Sequence, residues 1–191
     1  MLNKEQATQI FTEAGALLEG HFKLTSGRHS NRYMQCAQVL QFPRFTEELA
    51  RHIAEQFKGD GIELVVGPAM GGIIVAYEVS RQLGVPGIFT ERQDGQMQLR
   101  RGFGIRPGQK VLVVEDVITT GGSVQEVIDI VRQAGGDVCG VAVLVDRSNG
   151  KVNFGVKQVA VLQMEIESWE ADGCPLCQAG QGPAIKPGSR G

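Results

Sequence analysis

Histidine is scarce in this chain of 191 residues, three in all, and neither sign of charge dominates: 19 Lys and Arg stand against 21 Asp and Glu, a formal net charge of −2. That balance excludes a general electrostatic field for nucleic acid or an anionic membrane, so any cationic binding groups are local. No apolar stretch approaches the length of a membrane-spanning helix, and the opening Met1-Leu2-Asn3-Lys4-Glu5 lacks the apolar region of a secretory signal. The cytoplasm is the expected compartment. A Walker A loop would need a lysine before its Ser/Thr, and no G-x-G-x-x-G follows a strand pattern, which sets aside two common nucleotide folds. There is no internal repeat, no helix-turn-helix extension, and no basic cluster beyond Arg100-Arg101.

Cysteine is also sparse, at positions 36, 139, 174 and 177. Cys139 sits in the apolar run Val138 to Val145 and is expected in the core, and Cys36 is isolated. Cys174-Pro-Leu-Cys177 has the spacing of a shared metal or a redox pair, but it supplies only two of the four ligands zinc takes. None of His21, His29 and His52 follows it. On that ground a structural zinc would need a pair from each of two chains, the expectation is a reduced, non-catalytic turn, and no metal ligand is assigned.

What is present is enough for one sizeable core: 42% of residues are hydrophobic, and apolar runs alternate between two periods. Asn3 can cap a helix to about Leu18, stopped by Gly20, with Ile10, Ala14, Leu17 and Leu18 on one face. Pro43 to Phe57 reads as a second helix, Gly72 to Leu83 as a third and Ser123 to Ala134 as a fourth. Strands are expected at Ile62 to Val66, Gly87 to Phe89, Val111 to Val114, Val138 to Val145 and Val156 to Leu162. Strands separated by helices imply an α/β fold, a mostly parallel central sheet flanked by helices, with ligands at the carboxyl ends of the strands.

One segment carries chemistry. Val111 to Val114 form an unbroken β-branched run suited to a strand buried on both faces, and Glu115, Asp116, Val117, Ile118, Thr119, Thr120, Gly121, Gly122 and Ser123 follow at its carboxyl end. Gly121 and Gly122 let backbone N–H groups approach an anion, Thr119, Thr120 and Ser123 add hydroxyls, and the next helix presents its positive end. A phosphate monoester suits that hollow. Glu115 and Asp116 repel a phosphate but accept well from the vicinal hydroxyls of a ribose beside it. The plainer alternative is a βα turn with solvated acids.

This stretch resembles the phosphoribosyl pyrophosphate (PRPP) motif of the type I phosphoribosyltransferases. The resemblance implies that Gly67-Pro68-Ala69-Met70-Gly71-Gly72 is the diphosphate loop, with Met70 and Gly71 at the ligand. It also implies that Glu91 to Gly102 is a lid loop that closes over PRPP, in many members from the neighbouring subunit of a homodimer. Arg92 is the best match to a diphosphate-binding cation. Arg100 and Arg101 are either further lid cations or salt-bridging residues of a solvated hairpin.

Phe22 to Met34, with Phe22, Leu24, Ser26, Gly27, Ser30 and Tyr33 in register, resembles the hood signature of the orotate phosphoribosyltransferase branch of that family. The resemblance implies that Ser26, Tyr33 and Met34 face the pyrimidine, together with Thr119. Asp146-Arg147 resembles the branch's Asp-Arg pair, and the Arg147 guanidinium matches the carboxylate that sets orotate apart from other bases; a surface ion pair with Asp146 or Asp137 is the alternative. Three positions depart from the branch: Thr25 and Met70-Gly71 where cations are frequent, and Glu91-Arg92 where an Arg-Lys pair is frequent.

The implied activity joins orotate to PRPP with Mg²⁺ as cofactor, with Asp116, Glu115 and Arg92 as catalytic residues. A transferase for another base and a non-catalytic PRPP-binding regulator remain the alternatives. The expected organisation is one domain: an N-terminal helix and hood over 1–42, the core over 43–168, and a Gly/Pro-rich tail over 169–191.

Overall fold

The structure, a computed structural model, describes residues 1–24 and 26–187. Helix α1 (Lys4–Glu13) starts where Asn3 predicts: Gln6 N–H donates to Asn3 Oδ1 at 2.9 Å while Asn3 N–H donates to Gln6 Oε1 at 3.0 Å, a reciprocal cap. It ends earlier than the periodicity predicts. Gly15, at φ 65°, turns the chain, and Leu17 and Leu18 enter a strand instead, because tertiary pairing outweighs a helical spacing that runs only a few residues further.

That strand, β1 (Leu17–Lys23), pairs antiparallel with β2 (His29–Met34) to make a separate two-stranded hood. A short helix α2 (Ala37–Leu40) leads to α3 (Pro43–Phe57), whose bounds match the sequence reading. Then come β3 (Leu64–Pro68), α4 (Gly71–Leu83), β4 (Gly87–Gln93), β5 (Gln96–Leu99), β6 (Lys110–Ile118), α5 (Gly122–Gln133), β7 (Asp137–Asp146) and β8 (Lys157–Gln163). A four-residue helix, α6 (Pro175–Gln178), lies in the tail.

The main sheet has the order β5-β4-β3-β6-β7-β8, parallel throughout except for β5. The motif strand β6 is thus central, and its period of two divides the core. Leu112 and Val114 join the side that holds Leu49, Ile53, Val75 and Val79 of α3 and α4. Val111 and Val113 face Val127, Ile128 and Val131 of α5. Burying each such side chain contributes about 1.5–3 kcal/mol, so the strand that carries the acids is also the best anchored.

Strand β5 gives the first half of the expected lid segment the form of a hairpin. Asp94 and Gly95 both take left-handed φ, 52° and 80°, the geometry of a two-residue hairpin turn, and Glu91 to Leu99 pair back on themselves. Met97 and Leu99 alternate with Gln96 and Gln98 and pack against the α5 side of the core, a period of two too short to read within a polar segment. The tail also has more structure than its Gly/Pro content suggests. Trp169 exchanges backbone hydrogen bonds with His29 at 2.8 Å, and Ile185 bridges Phe22.

Candidate active site

Glu115 and Asp116 lie within β6, two residues before its end at Ile118 and so further into the strand than the sequence reading placed them, Glu115 buried and Asp116 half-buried. Asp116 N–H donates to Glu115 Oε1 at 3.0 Å and Val117 N–H to Asp116 Oδ1 at 2.9 Å, which fixes both side chains against their own strand. Burial raises the proton affinity of both carboxyls, and for Glu115 the neighbouring Asp116 charge raises it further. A carboxyl whose proton is held more tightly in this way can donate to a hydroxyl as well as accept from one.

Directly after the acids, the chain folds around a hollow of about 70 Å³ lined by Ile118, Thr119, Thr120, Gly121, Gly122 and Ser123. Its size suits a compact tetrahedral anion. Gly121 has φ 77°, and a Cβ there would lie 2.7 Å from Val152 and 2.9 Å from Phe154, so only glycine permits the turn. Gln125 N–H donates to Gly121 O at 2.9 Å, which starts α5 with its free amide end at the hollow.

The turn between β3 and α4 meets the same acids. A Cβ on Gly71 would stand 2.4 Å from Asp116 Oδ2, and one on Gly72 would stand 3.2 Å from Glu115 Oε1. Ala69 N–H is held by Thr90 O at 2.7 Å, and the Ala69–Met70 peptide is cis. Gly71 and Gly72 are thus set against the acids, with the Met70 side chain out in solvent.

Arg147 follows β7, where its N–H donates to Ile118 O at 2.9 Å, one step before the hydroxyl loop. Its Nε is buried with no hydrogen-bond partner. Burial lowers the guanidinium's proton affinity, with Tyr33 and Cys36 the groups whose charge opposes that shift. The ion pair with Asp146 is not formed. Asp146 accepts instead from Ser148 N–H at 2.7 Å and Gly150 N–H at 3.1 Å, which shapes the loop after β7. Tyr33 thus lies near Arg147, and its hydroxyl donates to Gln35 at 3.2 Å.

Other expected residues stand apart. Met34 alternates with Tyr33 along β2, so its side chain is buried in the core at 3% exposure and can support the hood but not offer a face to a ring. Ser26 is exposed on the turn between β1 and β2, and Thr25 lies outside the described residues. Arg92 pairs with Glu126 of α5 at 2.7 Å and donates to Gly95 O at 2.8 Å. Its recorded contacts do not reach Met70-Gly71 or the acids. Arg100 and Arg101 pair with Glu91 at 3.4 and 2.9 Å, the solvated-hairpin alternative.

Sequence reasoning missed Cys36. It is buried, and its thiol, pushed well up by burial and by Asp116, stays protonated and donates to Asp116 O at 3.7 Å. It joins the base of the hood to the acid strand. No pattern around an isolated cysteine announces that contact.

Comparisons with known proteins agree with this geometry. The phosphoribosyl transferase domain family matches residues 36–173. A protein from Heliobacterium modesticaldum, called orotate phosphoribosyltransferase, is 62% identical over 99% of this chain and 100% of its own length. One of the same name from Desulforamulus reducens is 60% identical over 99% of this chain and 98% of its own. Among solved structures, orotate phosphoribosyltransferase from Aeropyrum pernix superposes with a TM-score of 0.66 at 29% identity, over 82% of this chain and 93% of that one. An acid pair, an amide-lined hollow and a glycine turn on one sheet rim, with relatives this similar along nearly the whole length, place the chain in the orotate phosphoribosyltransferase family, among the type I phosphoribosyltransferases.

Proposed function

We propose that the chain transfers the 5-phosphoribosyl group of PRPP to N1 of orotate, giving orotidine 5′-monophosphate and pyrophosphate. The observation that carries the choice of base is Arg147: a largely buried guanidinium with an unpartnered Nε, beside Tyr33 and one hydrogen bond from the phosphate hollow. Leaving such a donor unsatisfied costs about 1–3 kcal/mol, and a ligand carboxylate at that spot removes the cost.

The 5-phosphate occupies the hollow at Thr119 to Ser123, against the amide end of α5. Glu115 and Asp116 hold the ribose hydroxyls, and the turn at Met70-Gly71 faces the diphosphate. As the bond from C1 to diphosphate breaks ahead of attack, positive charge grows on the sugar, and Asp116, aimed across the Gly71 turn, stabilises it. The hard oxygens of Glu115, Asp116, Thr119 and Thr120 would suit a Mg²⁺ ion brought in with PRPP, which would supply positive charge to offset that on the leaving group. Arg92, half exposed, would have to leave Glu126 to serve the diphosphate.

A second copy of the chain has a fitting surface. Met70, just before α4, and Ile74 and Tyr77 on it stay 82%, 43% and 68% exposed, an apolar stripe continuous with the diphosphate turn. A homodimer that covers it places the partner beside the active site. Among the described residues no helix is long and apolar enough to cross a membrane; the reaction belongs in the cytoplasm.

The test mixes the protein with PRPP, Mg²⁺ and orotate and follows loss of orotate absorbance, with uracil, adenine, hypoxanthine and xanthine as controls. Orotate alone should be consumed. Consumption of only a purine would overturn the base assignment, and PRPP binding without turnover of any base would favour the regulator.

A further inference from the structure

The reaction leaves Cys174 and Cys177 unused, yet the fold gives them partners that chain order concealed. Both histidines of the hood hairpin reach them. His21 on β1 and His29 on β2 lie on the same face, since His29 pairs with Lys23, two residues beyond His21. The tail returns to this face through the His29–Trp169 and Phe22–Ile185 bridges and sets the Cys-Pro-Leu-Cys turn over it. The ligand atoms of His21, His29, Cys174 and Cys177 all fall within 4.8 Å of one another. The expectation that zinc would require two chains fails for this reason: the histidines precede the cysteine pair in sequence by about 150 residues and meet it in space.

We propose that these four residues form a tetrahedral zinc site that fastens the tail to the hood. Zinc at about 2.0–2.1 Å from nitrogen and 2.3 Å from sulfur sets tetrahedron edges of roughly 3.3 Å between nitrogens and 3.6 Å between nitrogen and sulfur. His21 Nε2 and His29 Nδ1 are 3.0 Å apart, His21 Nε2 is 3.6 Å from each sulfur, and His29 Nδ1 is 3.3 Å from Cys177. All four cysteines are free, so no disulfide competes for the pair.

The outer contacts agree. His21 Nδ1 lies 2.9 Å from Gly182 O, which takes the ring proton there and leaves the Nε2 lone pair facing the cluster, the way a metal-ligating imidazole is usually oriented. Two thiolates with two imidazoles is a donor set for zinc and a poor one for Mg²⁺, so this site does not compete for the ion used with PRPP. Four protein ligands leave no open position, which makes the role structural. The hood strand it anchors carries Tyr33, so the metal sets the roof of the base pocket.

The test reads metal and stability, independently of turnover. Protein expressed with zinc and passed through gel filtration should hold about one zinc per chain by elemental analysis. The Cys174→Ser/Cys177→Ser double variant and His29→Asn should lose it, while Cys139→Ser keeps it. Stripping the wild type with a chelator should lower Tm by about 10 °C, restored by zinc and not by Mg²⁺. Cobalt in place of zinc should show tetrahedral visible bands and a thiolate charge-transfer band, which decides the matter even if the double variant does not fold. Wild type without zinc after supplementation, zinc retained by a folded double variant, or bound cobalt without the thiolate band would each overturn the site.

Discussion

Gly71 and Asp116 occupy one space: a methyl group on the glycine that opens α4 would stand 2.4 Å from both Cγ and Oδ2 of the acid near the end of β6. The two segments can meet only because one of them has no side chain there. Gly71→Ala should therefore displace the Asp116 carboxylate, whose Oδ1 is tied to Val117 N–H, without touching the core. Steady-state kinetics should show kcat/KM for PRPP lower by about tenfold or more, with Tm within a few degrees of wild type. Unchanged PRPP kinetics would mean that Asp116 is not held where the reaction needs it.

Asp116→Asn keeps the shape and removes the charge. The amide can still accept from Val117, so the strand end survives, but charge stabilisation of the sugar is lost. Turnover should fall by more than about tenfold with far-ultraviolet circular dichroism unchanged. Normal turnover in the folded variant would reject the assigned role.

Glu115 makes stability depend on pH with a definite sign. Burial first and Asp116 second raise its proton affinity in the folded state above that of the unfolded chain. Its contribution is full below the unfolded carboxylate range, near pH 4, and is lost as pH rises through the raised folded value. Glu115→Gln, whose amide can donate to Asp116 at every pH, should escape that loss. Melting curves should match wild type at pH 4 and run above it by roughly 5 °C at pH 8. A difference that stays flat across this range would show that Glu115 sheds its proton as readily folded as unfolded.

Legibility in the sequence tracked periodicity and local chemistry. β6 and α3 were readable because unbroken β-branched residues and a full amphipathic helix each admit one placement. What escaped was decided at long range or by polar pairing. Leu17 and Leu18 fit a helix face until Met34 and Tyr33 claim them across the hood. β5 does alternate, but only over Gln96 to Leu99, too short a run to stand out inside a polar segment. His21 and His29 look unrelated to Cys174 and Cys177 until the tail folds back. Arg92 could be assigned a charge by its loop but not a direction, since direction depends on Glu126.

Arg147→Ala should act on the base and not on the sugar phosphate. Its Nε has no protein partner, so the substitution breaks no hydrogen bond at that atom, and Asp146 keeps its own bonds to Ser148 and Gly150. A charge-assisted contact to a carboxylate is worth about 1.5–3 kcal/mol, which predicts KM for orotate higher by roughly 10–100-fold and KM for PRPP within about twofold. Loss of PRPP affinity with orotate affinity intact would move Arg147 to the other substrate.

Arg92 and Glu126 offer the sharpest division between a resting contact and a working one. Their nitrogen and oxygen approach to 2.7 Å, but side chains 46% and 43% exposed gain little from pairing in water, at most about 1 kcal/mol. The approach is also ionic contact without an aligned hydrogen bond, because Glu126 Oε2 receives none. Such a pair opens readily, and a diphosphate carries more charge than the carboxylate it would replace. Glu126→Ala should accordingly leave Tm within a few degrees and kcat/KM undiminished, since it only frees the arginine. Arg92→Ala should lower kcat/KM by about tenfold or more at the same Tm, because the leaving group loses a cation. If both variants behave like wild type, the hairpin of β4 and β5 does not supply that cation through Arg92, whose part is then only to hold the hairpin against α5.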